Sequence, residues 1–161
     1  MKTKKNALIV LCAIAISTVS CVDDTVSPQV DAIRTQQVES MKAKAIIDLA
    51  AAEKEKTAAE IIIADNKVTL ATKVAGSGDD LAKEYYRNYG TEVDALTLLY
   101  TSRITLQKLI ITQTTTAGVN AATNEPLVKS TKDLEAINVK ITAQEKIVAY
   151  WKGLLDKIFT A

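Results

Sequence analysis

Histidine is absent from this chain. That removes the side chain that most often serves as a general base near neutral pH and most often ligates zinc. A Ser-His-Asp arrangement is excluded outright. Cysteine is nearly absent too. Of Cys12 and Cys21, the first falls in an apolar leader, so no disulfide is expected within the remainder. Five glycines and two prolines provide few stops, which predicts long elements joined by few turns. Aromatics make up only 4% of a chain that is 48% hydrophobic. The apolar work falls to Ala, Ile, Leu and Val, a composition suited to long helices packed side by side.

What is present begins with a leader. Met1 to Lys5 is short and basic, and Ala7 to Ser20 is mostly apolar around Leu8, Ile9, Val10, Leu11, Ile14 and Ile16. That run falls short of the roughly 20 apolar residues a membrane-spanning helix needs. A basic start, a short apolar core and small residues before a boundary describe a signal peptide over residues 1–20. Without Lys2, Lys4 and Lys5 the 20 basic residues fall to 17, against 19 acidic ones. A mature chain near −2 lacks the basic face of a nucleic-acid binder, so no nucleic-acid partner is expected.

The boundary reads Thr18-Val19-Ser20-Cys21. It resembles a lipobox, with Thr18 where leucine is usual. The resemblance implies cleavage before Cys21 and diacylation of that cysteine. Cys21-Val22-Asp23-Asp24 is similar to the cysteine-then-acidic start of Bacteroidota lipoproteins, which implies an outer-membrane anchor with the cell surface favoured over the periplasmic face. Asp24-Thr25-Val26 resembles the O-glycosylation acceptor of that group and marks Thr25 as a modification candidate. Residues 21–29 then read as a short acidic tether.

From Val30 to about Val74 there is no glycine or proline. Ser27 is a candidate N-cap, with Pro28 in the first helical position, where its missing N–H is harmless. Val38, Met41, Ala45, Leu49, Ala52, Ala59, Ile63 and Leu70 recur at three-four spacing. Asn66 falls on that stripe and reads as a polar seam residue within a continuous helix over about 28–75. Gly76-Ser77-Gly78 is the clearest turn, and Asp79 or Asp80 caps a second helix to about Thr112. Its stripe takes in Leu81, Tyr85, Tyr89, Leu96, Leu99, Leu106 and Ile110, with Gly90 inside it. Thr114 to Thr116, Gly118 and Pro126 predict a loop of about a dozen residues, because threonine is stiff in a helix. A third helix follows over about 127–159, with Leu134, Ile137, Ile141, Ile147, Val148, Leu154, Leu155 and Ile158 as its apolar set. The expected fold is all-α: an up-down-up antiparallel three-helix bundle or coiled coil over residues 30–161. The first helix outruns its partners, so its start should project as a stalk. Tether and Ala-rich first helix together are similar to uncharacterised Bacteroidota lipoproteins with coiled-coil ectodomains, a resemblance that implies no active residues.

No glycine-rich phosphate loop, EF-hand or clustered metal ligands appear. Asp79-Asp80 and Asp23-Asp24 read as capping and solvent-facing pairs. No catalytic residue, metal or cofactor is expected. One constellation stands out. Six of the seven aromatics, Tyr85, Tyr86, Tyr89, Tyr150, Trp151 and Phe159, fall at the start of the second helix or near the end of the third. Antiparallel packing makes those ends neighbours. The cluster either plugs the bundle tip or presents a contact patch drawn from Tyr86, Tyr89, Tyr150 and Trp151. Tyr86 points about 100° away from Tyr85 on a helix and is the stronger surface candidate. The expected role is non-catalytic: a lipid-anchored rod with a structural or protein-interaction task. The alternatives are an accessory subunit of an outer-membrane transport or secretion complex, or a self-assembling coiled-coil surface component. The partners are then the membrane, through the lipid, and another protein or a second copy.

Overall fold

The computed structural model describes residues 28–160. The expected signal peptide, the expected lipidation and glycosylation positions Cys21 and Thr25, and the N-cap candidate Ser27 lie outside the described residues. Three helices follow in order: α1 (Pro28–Ser77), α2 (Asp80–Ala117) and α3 (Glu125–Ile158), with a short 3-10 helix (Gly118–Thr123) between the last two. The protein is an all-α bundle. The helix α2 is central and packs along both α1 and α3.

The ends of these helices are written in local chemistry. Gly78 takes φ 66°, a left-handed conformation that only glycine adopts freely, and so stops α1. Asp79 then caps α2, its carboxylate accepting from the amides of Leu81 at 2.8 Å and Ala82 at 3.4 Å. Asn124 caps α3 in the same way, accepting from Leu127 N–H at 3.0 Å, with Pro126 in the first turn. The α1 helix runs unbroken through half-buried Asn66, as the resumed period at Leu70 implied.

The expected threonine-rich loop is instead helix. The α2 helix continues to Ala117. Thr114, Thr115 and Thr116 each donate Oγ1 to the carbonyl four residues back, at 2.8, 2.9 and 3.0 Å. Their β-branched penalty is only a few tenths of a kcal/mol each, less than the packing that burial of Thr114 supplies. Gly118, at φ 52°, ends the helix, and its N–H bonds to the Thr114 carbonyl.

The core sits towards the Gly78 end. Leu70 and Val74 of α1, Ala82, Tyr89 and Val93 of α2 and Leu155 of α3 form one buried cluster, and Leu96, Tyr100 and Ile141 a second. Full burial of a leucine such as Leu70 or Leu155 contributes about 1.5–3 kcal/mol. Three residues of the expected apolar stripes, Met41, Leu81 and Ile147, are exposed instead. At the other end, every residue from 28 to 37 is exposed. The α1 helix has 50 residues against 38 in α2, and its surplus projects from the bundle as a stalk.

Candidate functional site

The six aromatics do meet at the Gly78 end. Tyr85 of α2 packs against Trp151 of α3, ring centroids 5.6 Å apart, and Tyr150 meets Trp151 edge-on at 5.5 Å. Tyr86 and Tyr89 stack at 6.5 Å, and the Lys73 ammonium lies 5.6 Å from the Phe159 ring centre. Their exposures divide the roles. Tyr89 is fully buried and belongs to the core, so it drops out of any contact patch. Tyr86 is half-buried against the first core cluster. Its hydroxyl donates to the Lys67 carbonyl of α1 at 3.2 Å. Its 100° offset from Tyr85 points it across to α1, which corrects the reading of Tyr86 as the surface candidate. Tyr150 is the exposed ring, at 60%, with half-buried Trp151 beneath it. Most of the pole is therefore end-packing, and one exposed tyrosine remains available to a partner.

Burial raises the Tyr89 phenol above its ordinary pKa, against a partial opposing pull from Asn66. Its hydroxyl makes no well-formed hydrogen bond. Tyr100, the seventh aromatic, is also raised, chiefly by burial and then by Glu145, to which it donates at 2.6 Å.

Beyond Tyr100 the buried seam of α2 changes character. Arg103, Gln107 and Thr114 take the interior positions. Arg103 donates to Glu55 at 3.0 Å and to the Ala52 carbonyl at 3.4 Å, and lies over the Tyr100 ring at 5.1 Å. Gln107 donates to the Asp48 carbonyl at 3.1 Å, while its own Oε1 is buried without a partner. These residues were missed in the sequence because they are polar. The signal was nonetheless there: 93, 96, 100, 103, 107, 110 and 114 keep the three-four spacing without a break.

Beside Gln107 and Thr114 an open groove of about 530 Å³ runs between α1 and α3 near the stalk. Met41 and Ala45 of α1, Ile110 of α2, Ala121, and Leu127 and Leu134 of α3 form its apolar lining, and Lys44, Asp48, Lys132 and Glu135 stand around it. Its volume falls in the range of small-molecule pockets. No sequence feature announced it, because its lining comes from three helices far apart in the chain.

Of the two acidic pairs, Asp23-Asp24 lies outside the described residues and Asp79-Asp80 stands at the start of α2. Asp79 caps α2, and exposed Asp80 pairs with Lys83 at 2.7 Å, which lowers its pKa through that hydrogen bond and charge. Among the described residues no group of three or more His, Cys, Asp or Glu side chains is placed to hold a metal ion. None of the described helices is long and apolar enough to cross a membrane. No protein-family model, curated protein or solved structure matches the chain.

Proposed function

We propose that this protein is a non-catalytic lipoprotein, anchored in the outer membrane through Cys21 with its bundle at the cell surface, and that its rod presents contact surfaces to other proteins. The observation that carries the reading is a continuity. The lipobox-like Thr18 to Cys21 and a short acidic tether lead straight into a helix exposed on every side from residue 28 to 37. A solvated stalk of that kind suits a chain held at one end. The bundle's buried interior is used for packing, and its exposed features, Tyr150 and the groove near the stalk, suit binding better than turnover. Thr25 is the candidate for O-glycosylation in the tether.

Labelling cells with a palmitate analogue tests the anchor. The protein should take up label and partition into detergent, and Cys21→Ser should abolish both. Label retained in Cys21→Ser would sink the anchor. Protease shaving of intact cells tests the face of the membrane. An ectodomain protected until lysis would rule out surface display.

The open groove favours a second reading, an accessory subunit of a transport or secretion complex that receives a partner's helix between α1 and α3. Leu134→Arg would then block co-purification of the partner, whereas a presenting rod that uses its Tyr150 end would lose its partner with Tyr150→Asp.

A further inference from the structure

The α1 helix is apolar on two faces. One, through Ala52, Leu70 and Val74, meets the bundle. The other faces solvent and has its own heptad order. Ile47, Lys54, Ile61 and Val68 recur every seven residues, and Ala51, Ala58, Asp65 and Thr72 do so four places later. All eight are exposed, Ile47, Ile61 and Val68 at 67%, 58% and 69%. Alternate steps of four and three are the seam of a two-stranded coiled coil. Here the second strand is missing.

We propose that the partner of this face is a second copy of the chain, docked antiparallel about an axis between Ala59 and Glu60. Charge is the first argument. Lys54 and Asp65 lie on the seam, and neither takes part in an ion pair among the described residues. The acids and bases flanking Lys54, and Lys67 near Asp65, are already engaged: Lys56 with Glu60, Lys67 with Asp94, Arg103 with Glu55, Lys108 with Glu53. The antiparallel register puts Lys54 of each copy opposite Asp65 of the other, twice. A parallel, in-register pair would set lysine on lysine and aspartate on aspartate. Size is the second argument. The same register faces Ala51 with Val68, Ala58 with Ile61 and Ile47 with Thr72. Every apolar layer then joins a small residue to a large one, as close-packed seams require. Symmetry closes the pair at two copies.

The stripe is roughly 40 Å long on a helix about 10 Å wide, so a pair would bury on the order of 1,000 Å² including its flanks, the lower end for a specific interface. An interface at that lower end belongs with weak, reversible pairings, for which a Kd on the order of micromolar is the value to test. Because α2 packs on the opposite side of α1, the two bundles lie outside the seam and do not obstruct it. The pairing does not depend on the lipid. One consequence rests on the anchor reading: the two N-termini lie about 95 Å apart at opposite ends, so lipidated copies would join two facing membranes.

Sedimentation equilibrium of residues 22–161 tests the pairing, since every described helix and both core clusters lie within that range. Lacking Cys21, this chain reports on the seam whether or not the anchor exists. The wild type should pass from monomer to dimer between about 1 and about 100 µM. Lys54→Asp and Asp65→Lys should each weaken the dimer by about tenfold or more, and the double variant should restore it. A chain that stays monomeric at about 100 µM overturns the proposal. So does a dimer indifferent to both reversals, or a double variant that is not rescued. Ala51→Cys fixes the orientation: the two thiols sit roughly 25 Å apart along an antiparallel pair and should not join, so a ready disulfide would overturn it. Circular dichroism should show wild-type helicity in all four variants, because the substituted side chains are exposed.

Discussion

Gly90 sits in the interior of α2, and an added Cβ there would meet nothing within 4 Å. Neither a close helix approach nor a turn requires the glycine. Gly90→Ala should therefore stabilise the fold by about 1 kcal/mol from helix propensity alone. Thermal unfolding should show a midpoint higher by about 3 °C; an unchanged or lower midpoint would mean that α2 bends there in use. Tyr100 works in the opposite sense with pH. Its buried phenol, bonded to Glu145, has its pKa raised, so the fold favours the neutral form. That contribution is complete below the unfolded value of about 10 and is lost as pH rises through the higher folded value. Tyr89 adds to the same loss. Urea midpoints should fall as pH rises above about 10, and fall less in Tyr100→Phe, which gives up about 1 kcal/mol at neutral pH for its lost hydrogen bond. Equal alkaline slopes in the two proteins would remove Tyr100 from this account.

Among the elements, α1 has two unequal parts. Residues 28–37 contact no neighbouring helix closely enough to lose exposure, so that stretch is held only by its own hydrogen bonds and should open far more readily than the rest. Arg34 is its basic residue. Brief trypsin treatment of residues 22–161 should cut after Arg34 first, and the product should keep the parent's thermal midpoint. Mass spectrometry showing an earlier cut within 54–108 would contradict a projecting stalk. The α2 helix also shows how propensity yields to packing. Thr114 to Thr116 have the composition of a loop, yet buried Thr114 and three back-bonded hydroxyls keep the helix going for another turn. A stretch of polar interior, from Arg103 to Thr114, results. There the bundle is held by specific polar contacts as well as by bulk.

For the whole molecule, the proposed anchor is separate from the fold. The buried residues of the two core clusters run from Leu70 to Leu155, far along the chain from Cys21. The Cys21→Ser protein should thus be released from membranes as an intact bundle. Its circular dichroism and thermal midpoint should match those of the detergent-extracted form. A chain that unfolds on losing its lipid would tie the two together. The rod is also polarised. Both core clusters lie towards the Gly78 end and the groove towards the stalk; under the proposed Cys21 anchor, a partner entering the groove would sit near the membrane and one reading Tyr150 far from it.

Periodicity and punctuation are local properties, and they determined the all-α class, the three helices, the Gly78 turn, a cap at Asp79 or Asp80 and the first-turn Pro28. Each follows from residues a few positions apart. Tertiary structure decided what depends on a neighbour. It placed Tyr89 in the core and Tyr86 against α1, and left Tyr150 outside, although all three belong to one cluster. It buried Arg103 and Gln107, whose polarity hid them, and kept Leu81 and Ile147 exposed. It also left exposed a second apolar face of α1, through Ile47, Ile61 and Val68, outside the stripe that the periodicity named. A heptad repeat specifies that a seam exists; only the packed partner specifies whether it is filled, because filling depends on the shape of a surface that lies far away in the sequence.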